Sequence, residues 1–237
     1  MNIAIIGYGK MGREIARISE LRGHTIGLII DVTNAGDLNQ ENLRDIDVAI
    51  EFSTPDSAFQ NISVCIRENV PVVSGTTGWL DKLDQAIKLC NETNGGLFYA
   101  SNFSIGVNVL FAMNTRLAEI MQNFQEYDVS IEEIHHVHKL DAPSGTAISL
   151  ANQITEKISS KNSWTRKEGE PKNIYINSKR EGEVSGYHCV TYESEIDTIS
   201  ISHNAKSRVG FATGAVLAAE YMQGKSGIHS MQEMLNL

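Results

Sequence analysis

Six residues constrain this chain more than any others. Gly7-Tyr8-Gly9-Lys10-Met11-Gly12 fit the pattern G-x-G-x-x-G. They follow the apolar run Ile3–Ile6, which reads as a strand, and they open Met11–Leu21, which reads as an amphipathic helix. In that setting Gly7 allows a tight turn, Gly9 lets the backbone approach a pyrophosphate, and Gly12 lets the helix pack close to the strand. The helix N-terminus adds N–H donors and a favourable dipole for phosphates. The next strand, Thr25–Asp31, ends in an acid where the ribose hydroxyls of a dinucleotide belong. Val32 rather than arginine follows Asp31, so NADH is expected over NADPH. Lys10 and Arg13 keep NADPH open, because either can reach a phosphate.

The first hundred residues continue the alternation: Asp47–Ser53 extended, Ser57–Glu68 helical, Pro71–Ser74 extended, Leu80–Thr93 helical, Leu97–Ala100 extended. IAII, IGLII, VAIEF and PVV are apolar along their length, as buried parallel strands should be. Two further loops fall after strands, where open α/β sheets bind ligands: Gly75, Thr76 and Thr77 in SGTTG, and Ala100, Ser101, Asn102 and Phe103.

After Asn102 the texture changes. Ile105–Phe124 reads as a long helix with Val109, Ala112, Met113, Leu117 and Ile120 on one apolar face. Asp128–His136 reads as a strand, Thr146–Ile158 as a helix and Ser159–Pro171 as a polar connection. Asn173–Lys179, Tyr187–Tyr192 and Thr198–His203 follow as extended segments. HCVTY and TISIS alternate with period two, pointing to an antiparallel sheet with one covered face. Phe211–Met222 and Met231–Leu235 close the chain as helices, the last behind a Ser230/Glu233 capping box. The division is a dinucleotide-binding domain of residues 1–103 and 208–237 around a second domain of residues 104–207.

With 41% hydrophobic and 21% charged residues, the chain has an ordinary globular composition. Its net charge of −9 argues against nucleic-acid or acidic-membrane partners. No run approaches the roughly 20 apolar residues of a membrane span. The start MNIAIIGYG has no basic region before a long apolar stretch. Three scattered cysteines read as reduced, buried thiols, so the expected location is the cytoplasm.

HHVHKLDAPSGT, His135–Thr146, carries the chemistry. On a strand, His135 and His136 point to opposite faces, and no HExxH or CxxC supports them, so no metal is expected. Ser144 is a good N-cap for a helix starting at Gly145. Gly145 and Thr146 would then turn backbone N–H groups and a hydroxyl toward an anion, with Lys139 adding charge and a histidine moving protons.

IEEIHHVHKLDAPSGTA, Ile131–Ala147, closely resembles the signature of the 4-hydroxy-tetrahydrodipicolinate reductase (dihydrodipicolinate reductase) family. GYGKMGR, SGTTGW, SNFSIGVN, REGEVSGYH and HNAKSRVGFATGA extend the likeness over essentially the whole chain. The resemblance implies an oxidoreductase that uses NADH or NADPH to reduce (2S,4S)-4-hydroxy-2,3,4,5-tetrahydrodipicolinate, with loss of water, in lysine and diaminopimelate biosynthesis. It implies a Rossmann-like α/β domain plus an α+β domain for substrate binding and oligomerisation, with a mixed, largely open sheet that builds a homotetramer. By position, His135 matches the proton donor and Lys139 a second acid. His136 matches a contact to the dicarboxylate substrate, and Ser144, Gly145 and Thr146 the segment that holds a carboxylate. Gly7 to Gly12, Asp31, Gly75 to Thr77 and Ala100 to Phe103 match cofactor contacts. This chain lacks one residue of the family's longer GxxGxMG loop, and the residue after Asp31 is not basic, both of which bear on phosphate discrimination. Another two-domain NAD-dependent dehydrogenase of a small carboxylate, or a non-catalytic NADH sensor, would share the glycine loop but has no reason to carry HHVHKLDAPSGT.

Overall fold

Strand β1 (Asn2–Ile6) is buried on both sides, as only an interior strand of a sheet covered on both faces can be. Ile3 and Ile5 lie in one apolar cluster, Ala4 and Ile6 in another. Each fully buried isoleucine contributes about 1.5–3 kcal/mol, so this short strand anchors two cores at once. The computed structural model describes residues 1–207 and 209–237; Arg208, the first residue of the expected returning segment, lies outside the described residues.

The chain divides into two units, Met1–Ile105 with Val209–Leu237, and Gly106–Arg208. In the first, α1 (Lys10–Leu21), β2 (Thr25–Ile30), a short α2 (Gln40–Leu43), β3 (Val48–Glu51), α3 (Pro55–Arg67), β4 (Val72–Ser74), α4 (Leu83–Thr93) and β5 (Gly96–Tyr99) follow β1. The second unit contains nearly all of α5 (Ile105–Met121), then β6 (Asp128–His135), α6 (Gly145–Lys157), β7 (Ser163–Thr165), β8 (Asn173–Arg180), β9 (Tyr187–Glu193) and β10 (Thr198–Asn204). The chain then returns to the first unit with α7 (Val209–Met222), β11 (Gly227–His229) and α8 (Met231–Leu235).

The first unit's sheet runs β11-β5-β4-β3-β1-β2, all parallel. Residues of α1 and α7 bury against Ile3, Ile5, Val48 and Ile50, while α3 and α4 bury against Ala4, Ile6 and Ala49. From β1 the chain passes to β2 on one side and later to β3 on the other. That reversal opens a crevice beyond the carboxyl ends of β1 and β3, the place where doubly wound sheets bind ligands. Burial pushes the Cys65 thiol up to about 12, the Glu51 charge adding to it, and Cys90 up to about 11, so both are inert.

The second unit's sheet runs β10-β9-β6-β8-β7. β9 and β10 are antiparallel as their alternation predicts, but β6–β8 and β7–β8 are parallel, so the sheet is mixed. One face packs under α6, with Val129, Ile131, Ile174, Ile176, Val190 and Tyr192 meeting Leu150, Ala151 and Ile154.

Three expectations are corrected. The Ser159–Pro171 connection contains β7, whose three residues Ser-Trp-Thr carry too little alternation to register. β11 was missed because Gly-Ile-His holds a single apolar residue; it adds to the sheet by pairing with β5. In α5 the buried residues are Val107, Leu110, Asn114, Ala118 and Met121, whereas Val109, Met113 and Ile120 of the expected face are exposed. The helix is apolar on more than one side, and buried Asn114 is tolerated because its amide donates to Leu150 O and Gln153 Oε1. No described helix is long and apolar enough to cross a membrane.

A Cβ at Gly214 of α7 would lie 1.7 Å from the carbonyl oxygen of Phe103. Gly214→Ala should therefore cost about 1–3 kcal/mol, the usual scale of overpacking, read as a lower denaturant midpoint.

Candidate active site

At the glycine loop the three glycines do different things. Gly7 has φ +92°, and a Cβ there would lie 2.2 Å from Phe52 O. A Cβ at Gly12 would lie 2.0 Å from Gly7 O, whereas nothing lies within 4 Å of that position at Gly9. Gly9 caps α1 without any side-chain hydrogen bond to the helix N-terminus. The structure therefore offers an open backbone cradle at a positive helix end, which fits a dinucleotide pyrophosphate. Lys10 is exposed, Met11 is half-buried against the core, and the Arg13 guanidinium stacks 4.9 Å from the Tyr8 ring centroid. Asp31 follows β2 directly, and Asn34 holds it there by accepting from its N–H at 2.7 Å.

The neighbouring loops are tied together by Glu51, a fully buried carboxylate that sequence reasoning did not single out. Its oxygens accept from the Ser53 hydroxyl, Ser53 N–H (3.1 Å), Thr76 Oγ1 (3.0 Å) and Ser74 Oγ (2.8 Å). A Cβ at Gly75 would strike the Phe52 ring at 2.1 Å, so glycine is what lets this loop pass. Ala100 N–H donates to Ser74 O, Ser101 is exposed, and Asn102 Oδ1 accepts from Ser104 N–H. Phe103 is 2% exposed and packs beside Phe52 and Phe98, so its ring belongs to the core. Thr77 is exposed in the same stretch.

In the second unit, the covered face of the sheet changes character toward one end. Along β6 it reads Val129, Ile131, Glu133, His135, all buried. On β8 Ile174 and Ile176 give way to Ser178 and Arg180; on β9 Tyr192 and Val190 give way to His188. Register puts Glu133 opposite Ser178 and His188, and His135 opposite Arg180. The apolar half of the face packs the unit, and the polar half assembles a cluster.

Glu133, 0% exposed, is its centre. Its Oε1 receives both terminal nitrogens of Arg180 at 3.2 Å and Ser144 N–H at 3.2 Å. Its Oε2 lies 2.8 Å from His135 Nδ1, close but off the ring N–H axis, and 4.0 Å from His188 Nε2. Burial pushes the Glu133 carboxyl up, but the His135 ring and the Ser144 N–H outweigh it and hold the group well below its usual range. The His135 and His188 rings meet edge-on with centroids 5.0 Å apart. A Cβ at Gly186 would lie 3.2 Å from His135 Nε2, so the missing side chain keeps space beside that nitrogen.

Ser144 caps α6 as its sequence predicts, its Oγ accepting from Ala147 N–H at 3.3 Å. The same hydroxyl hydrogen-bonds His188 Nε2, 3.0 Å away. Burial and the neighbouring His135 push His188 down to about 4. Gly145 and Thr146 form the first turn of α6 above this cluster. Lys139 Nζ pairs with Asp141 at 2.8 Å, and Arg180 donates to Lys139 O (3.3 Å) and Asp141 O (2.5 Å), fixing that loop on the cluster. His136 is half-buried, its ring 6.1 Å from that of exposed His138, which contacts Glu183 at 3.2 Å. Glu133, Arg180 and His188 were absent from the sequence candidates; continuing the period-two pattern past Ile131, Ile176 and Val190 reaches all three.

Ligand atoms of Glu133, His135 and His188 lie within 4.8 Å of one another, close enough to hold a metal ion. The Arg180 fork already supplies the cation that compensates Glu133, and a second cation there would meet its repulsion.

Models of the dihydrodipicolinate reductase N-terminus and C-terminus match residues 1–103 and 106–235. A 4-hydroxy-tetrahydrodipicolinate reductase of Christiangramia forsetii is 52% identical over 238 residues, covering 100% of this chain and 98% of that protein. One from Neisseria gonorrhoeae is 33% identical over 223 residues, covering 91% and 81%. The dipicolinate-bound dihydrodipicolinate reductase of Paenisporosarcina sp. TG-14 has TM-score 0.77 at 27% identity, covering 98% of each chain. A putative myo-inositol dehydrogenase of Sinorhizobium meliloti 1021, TM-score 0.56 at 11% identity over 100% and 92%, shares the fold alone. Fold and glycine loop together define a two-domain oxidoreductase that uses a nicotinamide dinucleotide. Within that class, the chain belongs to the dihydrodipicolinate reductase family.

The buried histidine has a consequence for acid stability. His188 falls from 6.5 to about 4 on folding, so between those values the unfolded chain binds a proton that the folded chain does not. Stability is full above pH 6.5 and is lost as pH drops toward 4, by about 1–3 kcal/mol from this residue. His188→Gln should flatten that slope in denaturant titrations at pH 4.5 to 7.

Proposed function

We propose that this chain reduces (2S,4S)-4-hydroxy-2,3,4,5-tetrahydrodipicolinate to 2,3,4,5-tetrahydrodipicolinate with loss of water, the reductive step of lysine and diaminopimelate biosynthesis. One observation carries the reading: a buried His135 and the capped start of α6 meet on a single carboxylate, in a chain 52% identical end to end to a 4-hydroxy-tetrahydrodipicolinate reductase. A dianionic substrate suits a helix N-terminus with a lysine nearby. Ser144, Gly145, Thr146 and His136 take its carboxylates, and Lys139 turns from Asp141 toward one of them. Loss of the C4 hydroxyl and a C5 proton as water leaves a C4=C5–C6=N conjugated imine, to whose C4 a bound dinucleotide would supply hydride. His135 delivers a proton to C5, where charge builds, and Lys139 offsets that charge and acts as a second acid.

Gly7, Tyr8, Gly9, Lys10, Met11, Gly12, Asp31, Gly75, Thr76, Thr77, Ala100, Ser101, Asn102 and Phe103 form the dinucleotide site, Phe103 by packing its loop. NADH is the preferred cofactor, because the Asp31 carboxylate pairs with a ribose 2′-OH and repels a 2′-phosphate. Assembly is a homotetramer built through the second unit's sheet, in the cytoplasm; the exposed strand β10 leaves an edge for it.

Enzymatically made hydroxy-tetrahydrodipicolinate, supplied with NADH or NADPH, should give oxidation of the dinucleotide at 340 nm. Binding of NADH without turnover would instead make the chain a sensor. His135→Ala and Lys139→Ala should each lower kcat by about 10²–10⁴, the scale for positioned acids and charge partners. Asp31→Ser should raise kcat/KM for NADPH relative to NADH by about tenfold or more, as expected for removing one charge repulsion of about 1.4 kcal/mol.

A further inference from the structure

The proton that His135 gives up must leave from one nitrogen, and the structure determines which. Nδ1 faces Glu133 Oε2 at 2.8 Å, inside a pocket where Glu133 has no solvent exposure. Nε2 borders Gly186, whose missing side chain leaves that side of the ring approachable. We infer that Glu133 is a positioning residue for the reaction: it holds the Nδ1 proton of His135, so that Nε2 is the nitrogen that donates. The inference rests on His135 being the proton donor of the proposed function.

The surroundings of Glu133 fit that task better than a purely structural one. Glu133 is gripped from three sides, and the grip is uneven, with the fixed donors converging on one oxygen. Arg180 of β8 places two nitrogens on Oε1, and Ser144 at the start of α6 adds its N–H to the same oxygen. Oε2 is left for the imidazole. The groups facing Glu133 are His135 on its own strand, Arg180 and Ser178 on β8, His188 on β9 and Ser144 at α6, with Lys139 in the adjoining loop. Arg180 and the Ser144 N–H favour the ionised carboxylate, and an ionised carboxylate favours a proton on Nδ1.

Proton bookkeeping follows. The donor is the imidazolium with protons on both nitrogens, its charge balanced by Glu133. Transfer breaks the Nε2–H bond and forms a C–H bond at C5. The ring is left neutral with Nδ1–H still on Glu133, and Nε2 takes its next proton from water. Glu133 itself is never protonated. Nδ1 approaches Oε2 off the ring N–H axis, a misalignment of the kind that catalytic hydrogen bonds lose in the Michaelis complex. The shared carboxylate has a second effect. Because Glu133 also binds Ser144 N–H, the position of the acid and the position of the anion-binding helix start are set by one group.

The test uses Glu133→Gln and Glu133→Asp in the full chain, with imidazole ¹⁵N spectra of the ¹⁵N-histidine-labelled protein. The His135 signals are assigned by their loss in His135→Ala. Wild type should show His135, when neutral, protonated on Nδ1. Glu133→Gln presents an amide NH₂ that turns Nδ1 into an acceptor, so the proton should move to Nε2. With it kcat should fall by about 10²–10⁴, the scale seen when a buried acid no longer sets a histidine tautomer, while KM changes by less than about threefold. Glu133→Asp, which keeps the charge, should recover part of the rate and the Nδ1–H tautomer. A folded Glu133→Gln protein with wild-type kcat overturns the inference. So does a neutral His135 in wild type that carries its proton on Nε2, a reading that stands even if the Gln variant fails to fold. Wild-type turnover of hydroxy-tetrahydrodipicolinate in the same preparation separates these outcomes from failure of the proposed function, under which wild type itself would be inactive.

Discussion

A carboxylate taken wholly out of water has to be matched group for group, and the end of the second unit's sheet is organised by that demand. Glu133 sits on the same face of β6 as Val129 and Ile131, so the pleat that buries the core also buries the charge. Compensation then recruits Arg180 from β8 and the N-terminus of α6, while the Arg180 fork reaches on to the carbonyls of Lys139 and Asp141. An unpaired carboxylate here would cost several kcal/mol. Loop, helix start and imidazole are therefore positioned by one electrostatic requirement.

The first unit solves a related problem with different materials. Glu51 is equally buried, and four hydroxyl and N–H contacts satisfy it. These donors bring no countercharge to the ends of β3 and β4. The phenyl rings of Phe52 and Phe103 pack over the same region, with Gly75 passing against Phe52. Small residues and hydroxyls in SGTTG thus have structural tasks in addition to any ligand they touch.

How far the sequence could be read depends on how local each signal is. The glycine loop is legible because turn, helix start and strand lie within a dozen residues and each glycine has its own steric reason. The Ser144 cap is legible for the same reason. α5 is not, because a helix apolar on several sides gives a period without a direction, and a buried Asn114 looks like a surface residue until Leu150 and Gln153 are seen. Arg180 and His188 lie 45 and more residues from Glu133 in the chain, so only strand register brings them to it. β11 is set by pairing with β5 rather than by its own residues.

The returning segment matters for the order in which the protein is made. Ala212, Ala215, Val216, Ala218, Ala219 and Met222 of α7 complete the cluster that covers Ile3, Ile5, Val48 and Ile50. At about 5–20 residues per second, the ribosome needs roughly 5–20 s to synthesise the second unit before α7 emerges. Throughout that interval one face of the nascent first sheet is covered by α1 without α7, while the second unit, contiguous in sequence, has all its strands available. The insertion of one unit inside the other thus makes the later-born unit the first able to finish, and leaves the glycine-loop domain to be completed last.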